Sequence, residues 1–195
     1  REAWKCRLAL NRSDLFIGER SRFLAAAIAD AQERNRNVAF SVLEQWEDPG
    51  VVRSIARVLD RGAGKGRADA LEVLSNLALR PVSAHFALLL ESSWASIRAV
   101  DLKGFVFGPQ DGEAVVEWAC QADDPWLKLA GRLHREASRG GGSDVETSQA
   151  LGEEARQVER LLALQRVTIF AGLSLDQLHR IDSLLCEQHF VSGEV

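Results

Sequence analysis

A glycine-rich stretch, Arg61-Gly62-Ala63-Gly64-Lys65-Gly66-Arg67, is the part of the sequence closest to a phosphate-binding loop. A P-loop has the pattern Gly-x-x-x-x-Gly-Lys-Ser/Thr and follows a strand. Here the spacing is different, Gly66 stands where the hydroxyl residue is needed, and both flanks have a helical pattern. We therefore predict a flexible turn between two helices rather than a nucleotide site.

Histidine and cysteine side chains near the end of the chain are the candidates for a metal site. His179, Cys186 and His189 lie close in sequence, but their spacing matches no common zinc pattern and a fourth ligand is missing. We predict no metal here. Cys186 is expected to be a small core residue, and His179 a polar residue on a helix surface.

A Cys/His nucleophile pair would require Cys6 or Cys120 beside His85 or His134. No nucleophile motif surrounds either cysteine, and lone cysteines are usually structural. The sequence therefore predicts no catalytic residue, no cofactor-binding residue and no metal ligand, and we expect a protein that is not an enzyme. The three cysteines are scattered and odd in number, which fits a reducing compartment better than a disulfide framework.

Arginine side chains make the front half of the chain locally basic. If they shared one face, they would suit acidic lipid headgroups or an acidic partner. The alternative, which we favour, is a solvated surface interspersed with Asp and Glu. The arginines are Arg20, Arg22, Arg34, Arg36, Arg53, Arg57, Arg61 and Arg67.

The tryptophans fall at helix ends or at junctions between repeating segments. We expect them to act as aromatic plugs between stacked helices. A hot spot for a protein partner would give the same sequence pattern, so both interpretations stay open. They are Trp4, Trp46, Trp94, Trp118 and Trp126.

The composition of the 195 residues, 46% hydrophobic and 27% charged, is that of a globular protein, with room for one domain and part of another. The net charge of −4 disfavours sequence-independent nucleic-acid binding. The longest uncharged apolar run, residues 81–90, is far shorter than the roughly 20 residues of a membrane-spanning helix. No signal peptide opens the chain and it contains no methionine, so we expect both ends to be cut from a longer protein.

Apolar residues recur at three- and four-residue spacing, which predicts a series of short amphipathic helices. We expect eight or nine of them before residue 138, no convincing strand there, and a loop at 102–111 held by Phe105 and Phe107. The predicted helices are 3–10, 19–35, 38–46 with Asn37 as its cap, 49–62, 67–78, 83–91, one led by Trp94, 112–122 and 126–137. Their predicted buried stripes include Phe23, Leu24, Ala27, Ile28 and Ala31, then Val52, Ile55, Ala56 and Leu59, then Ala70, Leu71, Val73, Leu74 and Leu77.

Short patterns recur along these helices at distances near the length of a two-helix repeat. They are Val52-Arg53 followed by Ala56, Ile97-Arg98, and Leu127-Lys128 followed by Gly131, while Asp48-Pro49 and Asp124-Pro125 open two helices in the same manner. Over residues 19–137 the pattern resembles HEAT repeats, whose second helix opens Asp-x-x-Val-Arg-x-x-Ala. The resemblance implies an α-solenoid, in which stacked helix pairs bury each other's apolar stripes.

Residues 138–148 (SRGGGSDVETS) are rich in Gly and Ser and lack an apolar run, which predicts a linker. Beyond it we expect a helix over 149–165. Its stripe consists of Leu151, Ala155, Val158, Leu161, Leu162 and Leu164.

Residues 161–195 (LLALQRVTIFAGLSLDQLHRIDSLLCEQHFVSGEV) predict an amphipathic helix, a short apolar turn, a second helix opened by Ser174 and one short strand that enters a Ser-Gly turn. This stretch resembles the entry to a cyclic-nucleotide-binding domain of the bacterial regulator and channel type. That entry reads as a leucine-rich helix, Val-x-Ile/Leu-Phe-x-Gly-Leu-Ser, a helix beginning x-x-Gln-Leu, and a strand closed by Gly-Glu-Val. The Gly-rich, arginine-containing phosphate cassette that the resemblance implies further on is not among the 195 residues, so we expect no complete ligand site. The strand, residues 187–195, should be frayed or should pair with a neighbouring chain.

A HEAT-like array followed by such an entry is similar to the C-terminal region of bacterial nucleotide (ATP/ADP) translocase-like transport proteins. The phrases ERSRFLAAAIADAQERN, GRADALEVLSNL and DDPWLKLAG carry this resemblance. It implies a non-catalytic, cytoplasmic connector between a membrane transporter and a cyclic-nucleotide sensor. Its partners would be proteins, either further domains of the same chain or other subunits, with no cofactor and no nucleic acid.

Two other functions fit the same pattern of helices. One is a free-standing HEAT scaffold that binds protein partners. The other, a HEAT enzyme that excises damaged bases from nucleic acid, is disfavoured by the net acidity and by the lack of a recognisable catalytic carboxylate. The sequence thus predicts an all-α protein with at most one short strand. It is divided into a HEAT-like α-solenoid at 1–137, a linker at 138–148, and the helical entry of a truncated cyclic-nucleotide-binding domain at 149–195.

Overall fold

The computed structural model describes residues 5–6, 9, 19–61, 64–78, 80–91, 112–139 and 145–186, and these residues form helices and turns with no strand. The all-α class predicted from the periodicity is therefore confirmed for this part of the chain. Its helices are α1 (Glu19–Leu43), α2 (Pro49–Arg61), α3 (Lys65–Ser75), α4 (Arg80–Leu90), α5 (Gly112–Gln121), α6 (Pro125–Arg139), α7 (Val145–Arg166) and α8 (Leu175–Asp182).

Helix α1 is continuous where the sequence predicts a break. The prediction that Asn37 ends one helix and caps the next is wrong, because α1 runs through it to Leu43. Phe40 and Leu43 are both buried in the core of unit 1, on a different face of α1 from the predicted stripe, and neither Gly nor Pro interrupts the run. Apolar residues buried before and after Asn37 stabilise one continuous helix, and this outweighs the capping preference of one asparagine.

The two Asp-Pro pairs open α2 and α6 in the same manner, as predicted. One carboxylate oxygen of Asp48 accepts hydrogen bonds from the backbone N–H groups of Gly50 at 2.7 Å and Val51 at 3.3 Å. Asp124 accepts one from the N–H of Leu127 at 2.9 Å. Each aspartate thus satisfies N–H groups that have no partner within the helix, and proline suits the first helical position.

The segment predicted as a linker is partly helical. Ser138 and Arg139 belong to α6, and α7 already begins at Val145, which leaves 140–144 outside the described residues. Several other predictions also fall outside them: the tryptophans Trp4 and Trp94, the loop at 102–111, and the strand at 187–195.

The chain divides into two compact units. Unit 1 comprises Arg1–Leu15 and Ala31–Val115, and unit 2 comprises Phe16–Asp30 and Val116–Val195. The division of the sequence into domains at residues 137 and 149 stays a prediction.

In unit 1, consecutive helices pack against each other: α2 against α3, and α3 against α4. The rings of Phe40 and Phe86 meet edge-to-face in this core, with centroids 4.9 Å apart, a favourable geometry for aromatic pairs. The buried cluster consists of Phe40, Leu43, Val52, Ile55, Leu59, Ala70, Leu74, Phe86, Ala87 and Leu89. Helical periodicity therefore identified the inner faces of α2 and α3 correctly in the main.

The buried stripe of α3 is narrower than predicted. Ala70 and Leu74 are buried, and Leu71 and Leu77 are half-buried against the same core. Val73 is 48% exposed, so the prediction that it is buried is wrong. Adjacent helical positions point about 100° apart, and the short helix presents only one row of side chains to its neighbours.

Arg67 connects three helices of unit 1. From the first turns of α3 its guanidinium donates hydrogen bonds to the carbonyl oxygen of Leu59 in α2, at 2.7 Å, and to that of Leu90 at the end of α4, at 2.6 Å. Helix-terminal carbonyls lack partners within their own helix, and a cation there also favours the helix dipole. The turn predicted before α3 is shorter than expected, because α2 ends at Arg61 and α3 already begins at Lys65, which makes Lys65 and Gly66 helical. Gly64 adopts φ of 60°, a conformation that glycine tolerates.

In unit 2, α8 packs against α7, and α6 lies close to α5 at Gly131. The rings of Phe23 and Trp126 meet edge-to-face at 6.4 Å. A Cβ added at Gly131 would lie 2.7 Å from the backbone nitrogen of Cys120 and 2.9 Å from the Cβ of Ala119. Only glycine therefore allows the observed approach of the two helices.

We expect Gly131→Ala to destabilise the protein by about 1–3 kcal/mol, because the added methyl group meets backbone atoms that cannot move aside cheaply. Urea denaturation followed by circular dichroism measures this change. The matched control is Gly152→Ala on α7, where no atom lies within 4 Å of the added Cβ. The control should be stabilised by about 0.5–1 kcal/mol through helix propensity. Equal stability of Gly131→Ala and the parent protein would contradict the close approach of α5 and α6.

Candidate functional site

The α7–α8 hairpin, which consists of α7, the turn at 167–174 and α8, is the element to which the sequence attaches a function. Ser174 opens α8 as predicted: its hydroxyl accepts the N–H of Gln177 at 3.3 Å, and the Gln177 side chain accepts the N–H of Ser174 at 2.9 Å. This reciprocal arrangement is a capping box. Within the turn, Phe170 N–H donates to the carbonyl of Val167 at 2.8 Å, so the apolar turn has a defined backbone path.

A charged pair holds the two helices of the hairpin together. Arg160 on α7 donates from Nε to one oxygen of Asp182 at 2.8 Å and from Nη2 to the other at 3.1 Å. The Asp182 side chain is only 5% exposed, whereas that of Arg160 is 47% exposed. A buried carboxylate needs such a bidentate partner, so this contact fixes the end of α8 against α7.

The start of α8 is connected to two other helices of unit 2. Trp126 at the beginning of α6 donates from its indole Nε1 to Asp176 at 2.6 Å, and Asp30 of α1 accepts the N–H of Leu175 at 3.3 Å. Both carboxylates lie at the N-terminus of α8, where negative charge is favoured by the helix dipole. Sequence reasoning missed these contacts, because Asp30 and Leu175 are 145 positions apart.

His179 lies on the exposed surface of α8, as predicted. Its Nδ1 is 3.1 Å from the side-chain nitrogen of Gln157 on α7, and its ring meets the Trp126 ring edge-to-face at 5.5 Å. Cys186 is exposed, so the prediction that it is a core residue is wrong. The helix ends at Asp182, four positions earlier, and the buried stripe ends with it. His189 lies outside the described residues.

The candidates for nucleophilic chemistry are distributed over both units. Cys6 is buried, whereas Cys120, His85 and His134 are half-buried, and none of the three cysteines forms a disulfide. No group of three or more His, Cys, Asp or Glu side chains in the described part of the chain could hold a metal ion. The expectation of a protein without catalytic residues stays a prediction.

The front-half arginines do not form one set. Arg36 bonds Glu33 and Asp60, and Arg67 bonds the helix-end carbonyls described above. Arg53 bonds Glu44, with 3.1 Å between Nη2 and the carboxylate, whereas Arg57 and Arg61 are exposed on α2. The sequence alone could not separate these roles, because each depends on which helix comes to lie beside the arginine.

Two of the described tryptophans, Trp126 and Trp46, differ in burial. Trp126 is 8% exposed and packs between helices, as expected of a plug. Trp46, after the end of α1, is 70% exposed and does not fill a junction. The interpretation as a plug is therefore wrong for Trp46, because its side chain points away from the core that Phe40 and Leu43 enter.

A cavity of about 620 Å³ lies beside α7 in unit 2. Its described lining is apolar apart from Glu159 and Arg166 and includes no cysteine, histidine or serine. The lining consists of Phe23, Leu133, Ala155, Val158, Glu159, Leu162 and Arg166. This composition provides neither a nucleophile nor a metal ligand set.

Comparison of the chain with protein-family models, with curated proteins and with solved structures gives no match. Among the residues that the structure describes, no helix is both long and apolar enough to cross a membrane.

We expect Asp182→Asn to destabilise the protein by about 1–3 kcal/mol, because Arg160 loses a charged acceptor and the buried amide cannot accept both of its hydrogen bonds. Thermal or urea unfolding measures the loss. Asp123→Asn, at an exposed aspartate of the same unit, is the matched control and should stay within about 0.5 kcal/mol of the parent protein. If the two variants were equally stable, the pair would contribute nothing to the hairpin.

We expect His134 to make the protein less stable in acid. Burial lowers the pKa of His134 below its ordinary value. The unfolded chain therefore takes up this proton more readily than the folded chain, and stability falls as the pH drops through the unfolded-state pKa of about 6.5. The melting temperature of His134→Gln should accordingly change less between about pH 7.5 and about pH 5 than that of the parent protein. An identical pH dependence in the two proteins would exclude this contribution.

Proposed function

We propose that the chain is a non-catalytic helical connector, in which a HEAT-like array leads to the helical entry of a cyclic-nucleotide-binding domain. The observation that carries the proposal is the capped and anchored α7–α8 hairpin. Its turn contains Phe170-Ala171-Gly172-Leu173-Ser174, and Ser174 opens α8 with a capping box. In its full-length context, the connector links a membrane transporter to the sensor on the cytoplasmic side.

The packing in unit 1 supports the HEAT-like part of the proposal. Helices α2, α3 and α4 are short and contact their neighbours along the chain, the arrangement expected of stacked helical repeats. The two Asp-Pro helix starts, which the repeat pattern shares, are both capped by the aspartate.

Exposed apolar side chains at the turn before α8 and just after α8 support the proposal that the hairpin packs against a following domain. Ile169 in the turn is 78% exposed, and Leu184 after α8 is 83% exposed. Val167 and Leu185 are also exposed at the same two ends. Large apolar side chains this open to water are a favourable surface for another domain to cover.

The anchors of α8 suit a relay. Because Trp126 bonds Asp176 and Asp30 bonds the N–H of Leu175, a displacement of α8 changes hydrogen bonds to α6 and to α1. Suppose that the hairpin has two positions and that the sensor binds its ligand more tightly in one of them. Ligand binding would then change the hydrogen bonds that α8 makes to α6 and α1 within unit 2.

A second candidate function is a free-standing scaffold for protein partners. The end of α1 and the turn after it favour it, because Val38 and Val42 on α1 and Trp46 in the turn recur at four-residue spacing and all three are at least half exposed. An exposed tryptophan beside aliphatic side chains is typical of a hot spot at a protein interface.

The proposal is tested by the coding sequence and by calorimetry. We expect the coding sequence to continue past Val195 into a Gly-rich cassette with an arginine, and to contain apolar segments of roughly 20 residues upstream of Arg1. A protein extended through the cassette should then bind cyclic AMP or cyclic GMP in isothermal titration calorimetry, whereas the 195-residue chain should give no heat.

The relay is tested in the same extended protein by hydrogen exchange. Cyclic nucleotide should change the exchange of amides in α8 and at the start of α6. Asp176→Ala, which removes the acceptor for Trp126, should preserve nucleotide binding but reduce the change in α6. The absence of a cassette, or micromolar binding by the 195-residue chain, would overturn the sensor assignment, and the absence of upstream membrane segments would favour the scaffold.

A further inference from the structure

The outer face of α2 in unit 1 carries a row of arginines. The row consists of three arginines at four-residue spacing, Arg53, Arg57 and Arg61. Each arginine is rotated by about 40° around the helix axis, and shifted by about 6 Å along it, relative to the previous one. The buried residues of α2, Val52, Ile55 and Leu59, occupy the opposite side. Arg57 and Arg61 are both exposed, and Lys65, exposed at the start of α3, adds a further positive charge.

Two acidic residues beside this row, Asp60 and Glu44, are already engaged. Asp60, the one acidic residue of α2, accepts a hydrogen bond from Arg36 of α1. Burial disfavours the charge of Arg36, but hydrogen bonds and charges of Asp60 and Glu33 outweigh it and raise the pKa of Arg36 above its ordinary value. Glu44 hydrogen-bonds Arg53 and raises the pKa of that arginine. Because Asp60 bonds Arg36 and Glu44 bonds Arg53, neither carboxylate neutralises Arg57 or Arg61 through a hydrogen bond.

Arg57 and Arg61 themselves have no hydrogen-bonding or ion-pairing partner among the residues that the structure describes. Their guanidinium groups lie one helical turn apart on a face that is open to water. In a chain with a net charge of −4, this is a local concentration of unneutralised positive charge.

Two exposed valines flank the arginine row on the side away from Arg53. Val51 is 43% exposed and Val58 is 36% exposed, and their seven-residue spacing places them two turns apart on one edge of α2. The face therefore combines carboxylate-binding groups with an adjoining apolar strip, as an amphipathic helical partner requires.

We infer that the outer face of α2 is a docking surface for an acidic, amphipathic helix of a protein partner. Carboxylates one turn apart on that helix would meet Arg57 and Arg61, and its apolar side chains would cover Val51 and Val58. The planar guanidinium binds a carboxylate through two parallel hydrogen bonds, which gives the contact a preferred geometry as well as charge.

Charge and side-chain type favour such a peptide over a membrane or a nucleic acid. Anionic lipid surfaces select helices with a denser basic face and with aromatic or long aliphatic side chains to insert, whereas the apolar strip here consists of partly exposed valines. Nucleic acids require many phosphate contacts, which two free arginines and one lysine in an acidic chain do not provide. This surface lies in unit 1 and goes beyond the proposed function, since it does not depend on the α7–α8 hairpin.

The experiment titrates a synthetic helical peptide into the ¹⁵N-labelled 195-residue chain. The peptide carries glutamates one turn apart and leucines on the adjoining face, and a second peptide has every glutamate replaced by glutamine. We expect the acidic peptide to shift the backbone amides of α2 and the Nε–H signals of Arg57 and Arg61. The glutamine peptide should leave them in place.

Substitution of Arg57 and Arg61 distinguishes specific binding of the peptide at this surface from non-specific electrostatic attraction. Arg57→Gln with Arg61→Gln should weaken the peptide about five-fold or more, as expected for the loss of two surface ion pairs. The matched control, Lys128→Gln with Arg156→Gln, removes two exposed charges from unit 2 and should change the affinity less than about two-fold. All four side chains are exposed, and circular dichroism melts verify that each variant is folded.

Each remaining outcome counts against the inference. No saturable shift with the acidic peptide, or an equal loss in both double variants, would overturn it. Binding to phosphatidylserine vesicles but not to the peptide would assign the face to a membrane. Concentration-dependent self-association that Arg57→Gln with Arg61→Gln abolishes would assign it to a second copy of this chain.

Discussion

Each short helix of this protein has to bury its apolar stripe against another helix. Helix α8 has 8 residues and α2 has 13, lengths at which an isolated helix is marginal in water. Their stability therefore comes from contacts such as those of Leu175 and Leu178 in α8, or of Val52 and Ile55 in α2, all of which are buried. The helix ends, the turns between them and the faces that remain exposed all follow from how this burial is achieved.

Polar contacts then decide how the packed helices are held. Arg67 satisfies carbonyl groups of α2 and α4, and the Arg160–Asp182 pair fixes α8 against α7. In unit 2, the bond from Trp126 to Asp176 adds a connection between α6 and α8. These contacts determine the relative orientation of the helices more than they add to stability. Apolar packing is non-directional, whereas hydrogen bonds specify which atoms meet. The relay proposed for the α7–α8 hairpin rests on these contacts.

The arginines of unit 1 divide into those that hold helices together and those that are exposed. Arg36 and Arg67 are occupied by neighbouring helices, whereas Arg57 and Arg61 are open to water. The exposed apolar side chains are likewise grouped. Val38, Val42 and Trp46 lie at and just after the end of α1, and Ile169 and Leu184 lie in the turn before α8 and just after α8. Such open apolar and charged faces are favourable surfaces for another protein to cover.

The sequence by itself determined the all-α class, the helix starts at Asp48, Asp124 and Ser174, and most of the buried stripes. These features depend on residues within a few positions of one another, so local periodicity and capping chemistry suffice to predict them. Tertiary structure decided that α1 continues through Asn37 and that Val73, Cys186 and Trp46 are exposed. It also decided that Asp30 meets Leu175, 145 positions away. Burial and partner choice depend on which helices become neighbours, and no local pattern in the chain contains that information.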